Sequence, residues 1–154
     1  MKIYIASSWK NQHAVEMLTD LLREKGHEII SWVENNYGED HNHVTKKIDF
    51  ETWVNSEESD QSFLFDTQGA ATCDCLIYLA PAGKDAAAEV GLAFSNKECL
   101  LVGLYAKGED FGLMRKMFDR WFDRYQDLLK YLDFYDSLDR MTQSKRQLKA
   151  WILK

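Results

Sequence analysis

Cys75-Leu76-Ile77-Tyr78-Leu79-Ala80 is the stretch that decides the fold. A continuous apolar run of this kind marks a strand buried on both faces, as in a parallel sheet. Downstream, Lys84 to Ser95 reads as a helix of small residues, and Glu98 to Leu104 as another apolar strand. Upstream lies a helical region in two pieces. Lys46 to Val54 is the first. The second runs to about Thr72, with Asn55 offering an N-cap, Glu57 in the first turn and Glu58 in capping-box position.

The N-terminal part repeats the alternation. Ile3 to Ala6 reads as a short strand ending at Ser7-Ser8. From Gln12 to Lys25, Ala14, Val15, Leu18, Leu21 and Leu22 recur at helical spacing, and Gly26 stands where a left-handed stop belongs. His27 to Trp32 gives the second strand, and Val33 to Thr45 is a polar loop. Strands separated by helices imply a Rossmann- or flavodoxin-like three-layer α/β fold. The expected parallel sheet has four or five strands, in the order 2-1-3-4, and a fifth strand leaves no signal of its own. Beyond Gly108 the apolar residues Met114, Met117, Phe118, Trp121, Phe122, Tyr125, Leu128, Leu129 and Leu132 keep helical spacing, and Leu138 to Leu153 suggests a further helix. The expected organisation is an α/β domain over residues 1–108. A helical extension, 109–154, packs on it or on a partner subunit.

Composition narrows the function. The 154 residues are 45% apolar and 29% charged, enough for one real core. Net charge is −6, which argues against a duplex nucleic-acid surface. No apolar run approaches the roughly 20 residues of a membrane span, and Met1-Lys2 leads into a run too short for a signal peptide. Cys73, Cys75 and Cys99 read as reduced core thiols, so the expected setting is the cytoplasm. The aromatic tail suggests a homo-oligomer. His41 and His43 beside Asp40 read as solvated loop residues rather than a metal site, and no cofactor motif appears.

In a doubly wound sheet the ligand crevice opens where the strand order reverses. Ser7-Ser8-Trp9-Lys10, after the first strand, should meet Pro81-Ala82-Gly83-Lys84-Asp85, after the third. Both segments precede helices and can face an anion, although Ser7 or Ser8 can equally be a plain helix cap. Trp9 can stack on a base or pack on the first helix. Glu89, set among Ala86-Ala87-Ala88 and Val90-Gly91-Leu92-Ala93, is a charge on an otherwise small, apolar helix. Burial of such a group demands partners or a task. Asp85 lies one turn earlier on the same face. The alternative is an N-capping Asp85 with a solvated Glu89.

Ile3-Tyr4-Ile5-Ala6-Ser7-Ser8-Trp9, Asp66 with Asp74 eight residues later, and Ala88-Glu89-Val90-Gly91-Leu92-Ala93 together resemble the nucleoside 2-deoxyribosyltransferase superfamily. That superfamily includes 2′-deoxynucleoside 5′-monophosphate N-hydrolases. The resemblance spans roughly residues 1–105. It implies that Glu89 is a nucleophile that attacks C1′ and forms a glycosyl-enzyme intermediate. It implies that Tyr4 holds the Glu89 carboxylate in line and that Asp66 handles the base and its proton. Ser7, Ser8, Lys10 and Lys84 are candidates for a 5′-phosphate. Gly83 stands where the transferases carry another aspartate, with Asp85 an approximate replacement, and no tail residue matches the segment that transferases borrow from a neighbouring subunit. A small-molecule nucleoside or nucleotide is the implied substrate, cleaved by water or transferred to another base. A non-catalytic nucleotide-binding module using the same crevice is the alternative, and an assembly protein working through its tail is a third.

Overall fold

The structure, a computed structural model, describes residues 1–35, 49–109 and 112–142, with side chains described as far as residue 138. Strands β1 (Lys2–Ala6), β2 (Glu28–Ile30), β3 (Cys75–Leu79), β4 (Leu100–Leu104) and β5 (Arg120–Phe122) form one sheet. Its order is β2-β1-β3-β4-β5, and every pairing is parallel. The flavodoxin-like α/β class expected from the sequence is the one observed, and the strand with no sequence signal is β5.

Right-handed crossovers dictate where the helices go. The chain steps from β1 to β2 through α1 (Gln12–Glu24) and returns across β1 to β3 by way of α2 (Trp32–Asn35), α3 (Phe50–Val54) and α4 (Glu57–Thr72). It continues to β4 through α5 (Lys84–Ser95). The step to β2 and the steps to β3 and β4 run in opposite directions, so α1 and the α4–α5 pair cover opposite faces. Helix α6 (Tyr125–Thr142) lies on the α1 side. There Lys25 Nζ meets Asp133 Oδ2 at 2.7 Å and the Met1 amino group stands 3.9 Å from Asp136. Alternation along the strands then sorts the side chains. Tyr4, Leu76 and Leu101 lie in register on one face, and Ile5, Ile77 and Val102 on the other; all six are buried. The three cysteines are buried and form no disulfide with one another. Among the described residues no helix is long and apolar enough to cross a membrane.

Three local expectations are corrected. The stripe from Met114 to Leu132 is not one helix: it divides into a 3₁₀ segment (Leu113–Met117), β5 and α6. A strand of three residues is too short to print a period of two on the sequence. The site for it is made by Gly103 on β4, opposite Trp121, because a Cβ at Gly103 would overlap the indole. Secondly, the cap of α4 is Ser56, whose hydroxyl accepts from Ser59 N at 3.2 Å. Asn55 instead closes α3, its amide donating to the Glu51 carbonyl. Thirdly, β2 ends at Ile30, and Trp32 opens α2, with its Nε1 donating to the Ile5 carbonyl at 2.7 Å. The described part of the first helical piece begins at Phe50, with Asp49 as its N-cap. Most of the polar loop, residues 46–48, the His41–His43 pair and the tail from residue 143, Trp151 included, lie outside the described residues.

Candidate active site

The strand order reverses between β1 and β3, and the two segments expected to meet there do so. The Ser7 hydroxyl donates to the Leu79 carbonyl at 2.8 Å and accepts from Asn11 Nδ2 at 3.1 Å. That same amide nitrogen also donates to the Pro81 carbonyl at 2.6 Å. Ser7 and Asn11 therefore tie the loop after β1 to the end of β3. Ser8 caps the 3₁₀ turn Trp9–Asn11 by accepting from Lys10 N, the plain capping role. Trp9 packs edge-on against Trp32, ring centroids 4.7 Å apart, with about half its surface in solvent. Lys10, Gly83, Lys84 and Asp85 are exposed on the rim. Gly83, not Asp85, is the N-cap residue of α5, and it brings no side-chain cap. The first amides of α5 are left facing outward with the positive end of the helix.

At and below this rim four side chains from three elements converge, with Asp85 at the exposed edge. Tyr4 is fully buried in β1. Asp66 comes from the middle of α4, and Asp85 and Glu89 from the first turns of α5. Asp66 and Glu89 are partly buried. The Tyr4 hydroxyl lies close enough to Asp66 and Glu89 to interact with both. Even so, that hydroxyl and Glu89 Oε2 are closed off from solvent without a hydrogen bond of regular geometry. Ala86, Val90 and Ala93 form the one buried stripe of α5, and residues 85 and 89 lie on the stripe beside it, where α5 packs with α4.

Burial governs the electrostatics. It pushes Asp66 up to about 6, and the neighbouring Asp85 adds to the rise while the Tyr4 phenol opposes it. It pushes Glu89 up to about 8, with Asp66 and then Asp85 as like charges nearby and the phenol again opposing. The Tyr4 phenol is itself driven well above its ordinary value, first by burial and then by Glu89 and Asp66. A buried pair of carboxyls sharing one proton is an arrangement able to combine a nucleophile with an acid.

Sequence reasoning missed Gly69, one turn beyond Asp66 on α4. A Cβ there would stand 2.9 Å from Tyr4 Cδ2 and 3.0 Å from Cε2. The available signal was a glycine inside a helical segment, which lowers helix stability unless close packing requires it. Asp74, part of the motif that carries the resemblance, is away from the crevice. Its Oδ2 accepts from Lys2 N at 2.8 Å, at the amino ends of the strands. On the opposite flank of α5 from Glu89 lies a separate cavity of about 210 Å³, walled by Tyr78, Phe118, Trp121, Arg115 and Glu109. It contains none of the sequence-derived site residues.

No protein-family model and no curated protein matches the chain. Solved structures do. A 2-deoxyribosyltransferase from Bacillus psychrosaccharolyticus superposes with a TM-score of 0.62 at 23% identity, over 83% of this chain and 90% of its own. The CMP N-glycosidase BcmB from Clostridium botulinum superposes with a TM-score of 0.54 at 19% identity, over 88% of this chain and 99% of its own. In fold, the chain is similar to the nucleoside 2-deoxyribosyltransferase-like proteins that the sequence motifs resembled.

Proposed function

We propose that this protein is an enzyme that cleaves the N-glycosidic bond of a (deoxy)nucleoside or nucleoside 5′-monophosphate, with water or another base as acceptor. The observation that carries this reading is the convergence of Glu89, Asp66 and Tyr4 at the reversal point of the sheet. The likeness to a deoxyribosyltransferase and a CMP N-glycosidase supports it through the fold.

The proposed reaction uses one proton and two carboxyls. Between about 6 and about 8 the pair holds a single proton. In the reactive form that proton is on Asp66 and Glu89 is ionised, with the Tyr4 hydroxyl beside both. Glu89 then bonds to C1′ as the C1′–N bond breaks, and Asp66 delivers its proton to the departing base, a poor leaving group when anionic. Water or a second base afterwards displaces Glu89 from C1′, the retaining pattern of glycoside chemistry. Lys10, Lys84 and the open amides of α5 are the groups available to a 5′-phosphate, since the Ser7 hydroxyl is already bonded on both sides within the protein. Oligomerisation and a cytoplasmic location remain part of the proposal. Among the described residues, Phe50, Phe63, Leu113 and Met114 are the most exposed large apolar side chains apart from Met17.

The test is mass spectrometry after incubation with mixed deoxynucleosides and their 5′-monophosphates, with and without free bases. Free or exchanged base is expected from the wild type and none from Glu89→Ala, and kcat/KM should follow a bell with limbs near 6 and 8. A wild type that binds nucleotides yet releases no base from any of them would turn the assignment to a binding module.

A further inference from the structure

Three groups must keep register for this reaction, and each stands on a different element: Tyr4 on β1, Asp66 on α4 and Glu89 on α5. Packing of α4 against β1 therefore decides where Asp66 stands relative to the other two. A close point of that packing is Gly69. It is buried, it lies on the same face of α4 as Asp66 (three residues on), and its Cα rests against the Tyr4 ring. An added Cβ would come within 2.9 Å and 3.0 Å of two ring carbons and 3.2 Å of Ile30 Cγ2. Tyr4 is fully buried, so the ring can yield only by displacing its neighbours. Even one methyl group must then lift α4 or tilt the phenol.

We infer that Gly69 is a positioning residue, whose absent side chain sets the depth of α4 on the Tyr4 ring and thereby the separation of Asp66 from Tyr4 and Glu89. The inference rests on the reading of the site given above. It explains why a residue unfavourable inside a helix occupies the interior of a helix of 16 residues. It also locates the control of proton sharing outside the reacting groups. The groups that act on Glu89 are Asp66 from α4, Tyr4 from β1 and Asp85 from its own helix; the first two are the ones Gly69 holds together.

The test is Gly69→Ala, with Ala70→Gly as a control that loosens the same buried turn without pressing on the ring. Gly69→Ala should lower kcat by about tenfold to a hundredfold, the scale of a misplacement near one ångström, and leave KM within about threefold. In protein carrying ¹³C-labelled carboxyls, the NMR titration midpoints of Asp66 and Glu89 should move in Gly69→Ala and stay in Ala70→Gly. Unchanged midpoints and unchanged kcat per folded molecule in Gly69→Ala would overturn the inference. If Gly69→Ala yields no folded protein, adding Tyr4→Leu decides the matter. Recovery of folded protein supports the contact, and continued failure refutes it. Absence of base release by the wild type would remove the proposed reaction, while the carboxyl titrations would still judge Gly69.

Discussion

The two ends of the sheet use the same chemical group in opposite ways. At the amino ends of the strands, carboxylates are partnered. Asp74 Oδ2 accepts from Lys2 N at 2.8 Å and Asp119 Oδ2 from Leu101 N at 2.9 Å, each joining the start of one strand to its neighbour. At the carboxyl ends, Asp66, Asp85 and Glu89 face one another, and burial raises the first and last toward neutrality. A carboxylate that accepts a backbone N–H is stabilised in its charged form; one placed beside its like in a dry cleft is held ready to keep a proton. Bonded carboxylates and mutually facing carboxyls are thus separated along a strand only five residues long.

That contrast can be broken from either end. Short of removing Glu89 itself, the largest effect expected is from Tyr4→Phe, which should lower kcat about a hundredfold, on the scale of general acid–base contributions. It should leave unfolding free energy unchanged or slightly raised, because the lost hydroxyl is buried without a regular hydrogen bond. Steady-state kinetics and urea unfolding of the same preparation check both halves. Asp119→Ala should do the reverse. Removing the acceptor for Leu101 N is expected to cost about 1–3 kcal/mol of stability, with base release per folded molecule within about twofold of wild type.

A third effect is the pH dependence of stability. The folded protein holds protons on Asp66 and Glu89 that the unfolded chain, with ordinary carboxyls, gives up. The stabilisation is therefore fully present below the ordinary carboxylate range and is lost as pH rises through about 6 and then about 8. Urea midpoints should decline across that interval, and Glu89→Gln should flatten the upper part of the decline. A midpoint that climbs steadily over the same range would contradict the pairing of these two groups.

How much of this was legible beforehand depended on how many residues each feature engages. Cys75–Leu79 and Leu100–Leu104 announced themselves because full burial demands unbroken apolar runs. Arg120–Phe122 did not, since its identity as a strand depends on Gly103 making room for Trp121, a contact between residues 18 positions apart. The same logic divides the site. Glu89 stood out against alanines and glycine, and Asp66 and Tyr4 came from the motif resemblance. Gly69 was silent, because its significance is a distance to a ring on another element. Ser7 was ambiguous in sequence for a comparable reason: only the fold reveals that its hydroxyl is engaged with Leu79 and Asn11.

That engagement has a practical bearing on redesign. Because Ser7 and Asn11 lash the segment after β1 to Leu79 and Pro81, the two lips of the crevice are mechanically coupled. Grafting either lip alone from a related scaffold would strand its counterpart's hydrogen bonds, whereas exchanging both together would carry the shape of the entrance intact.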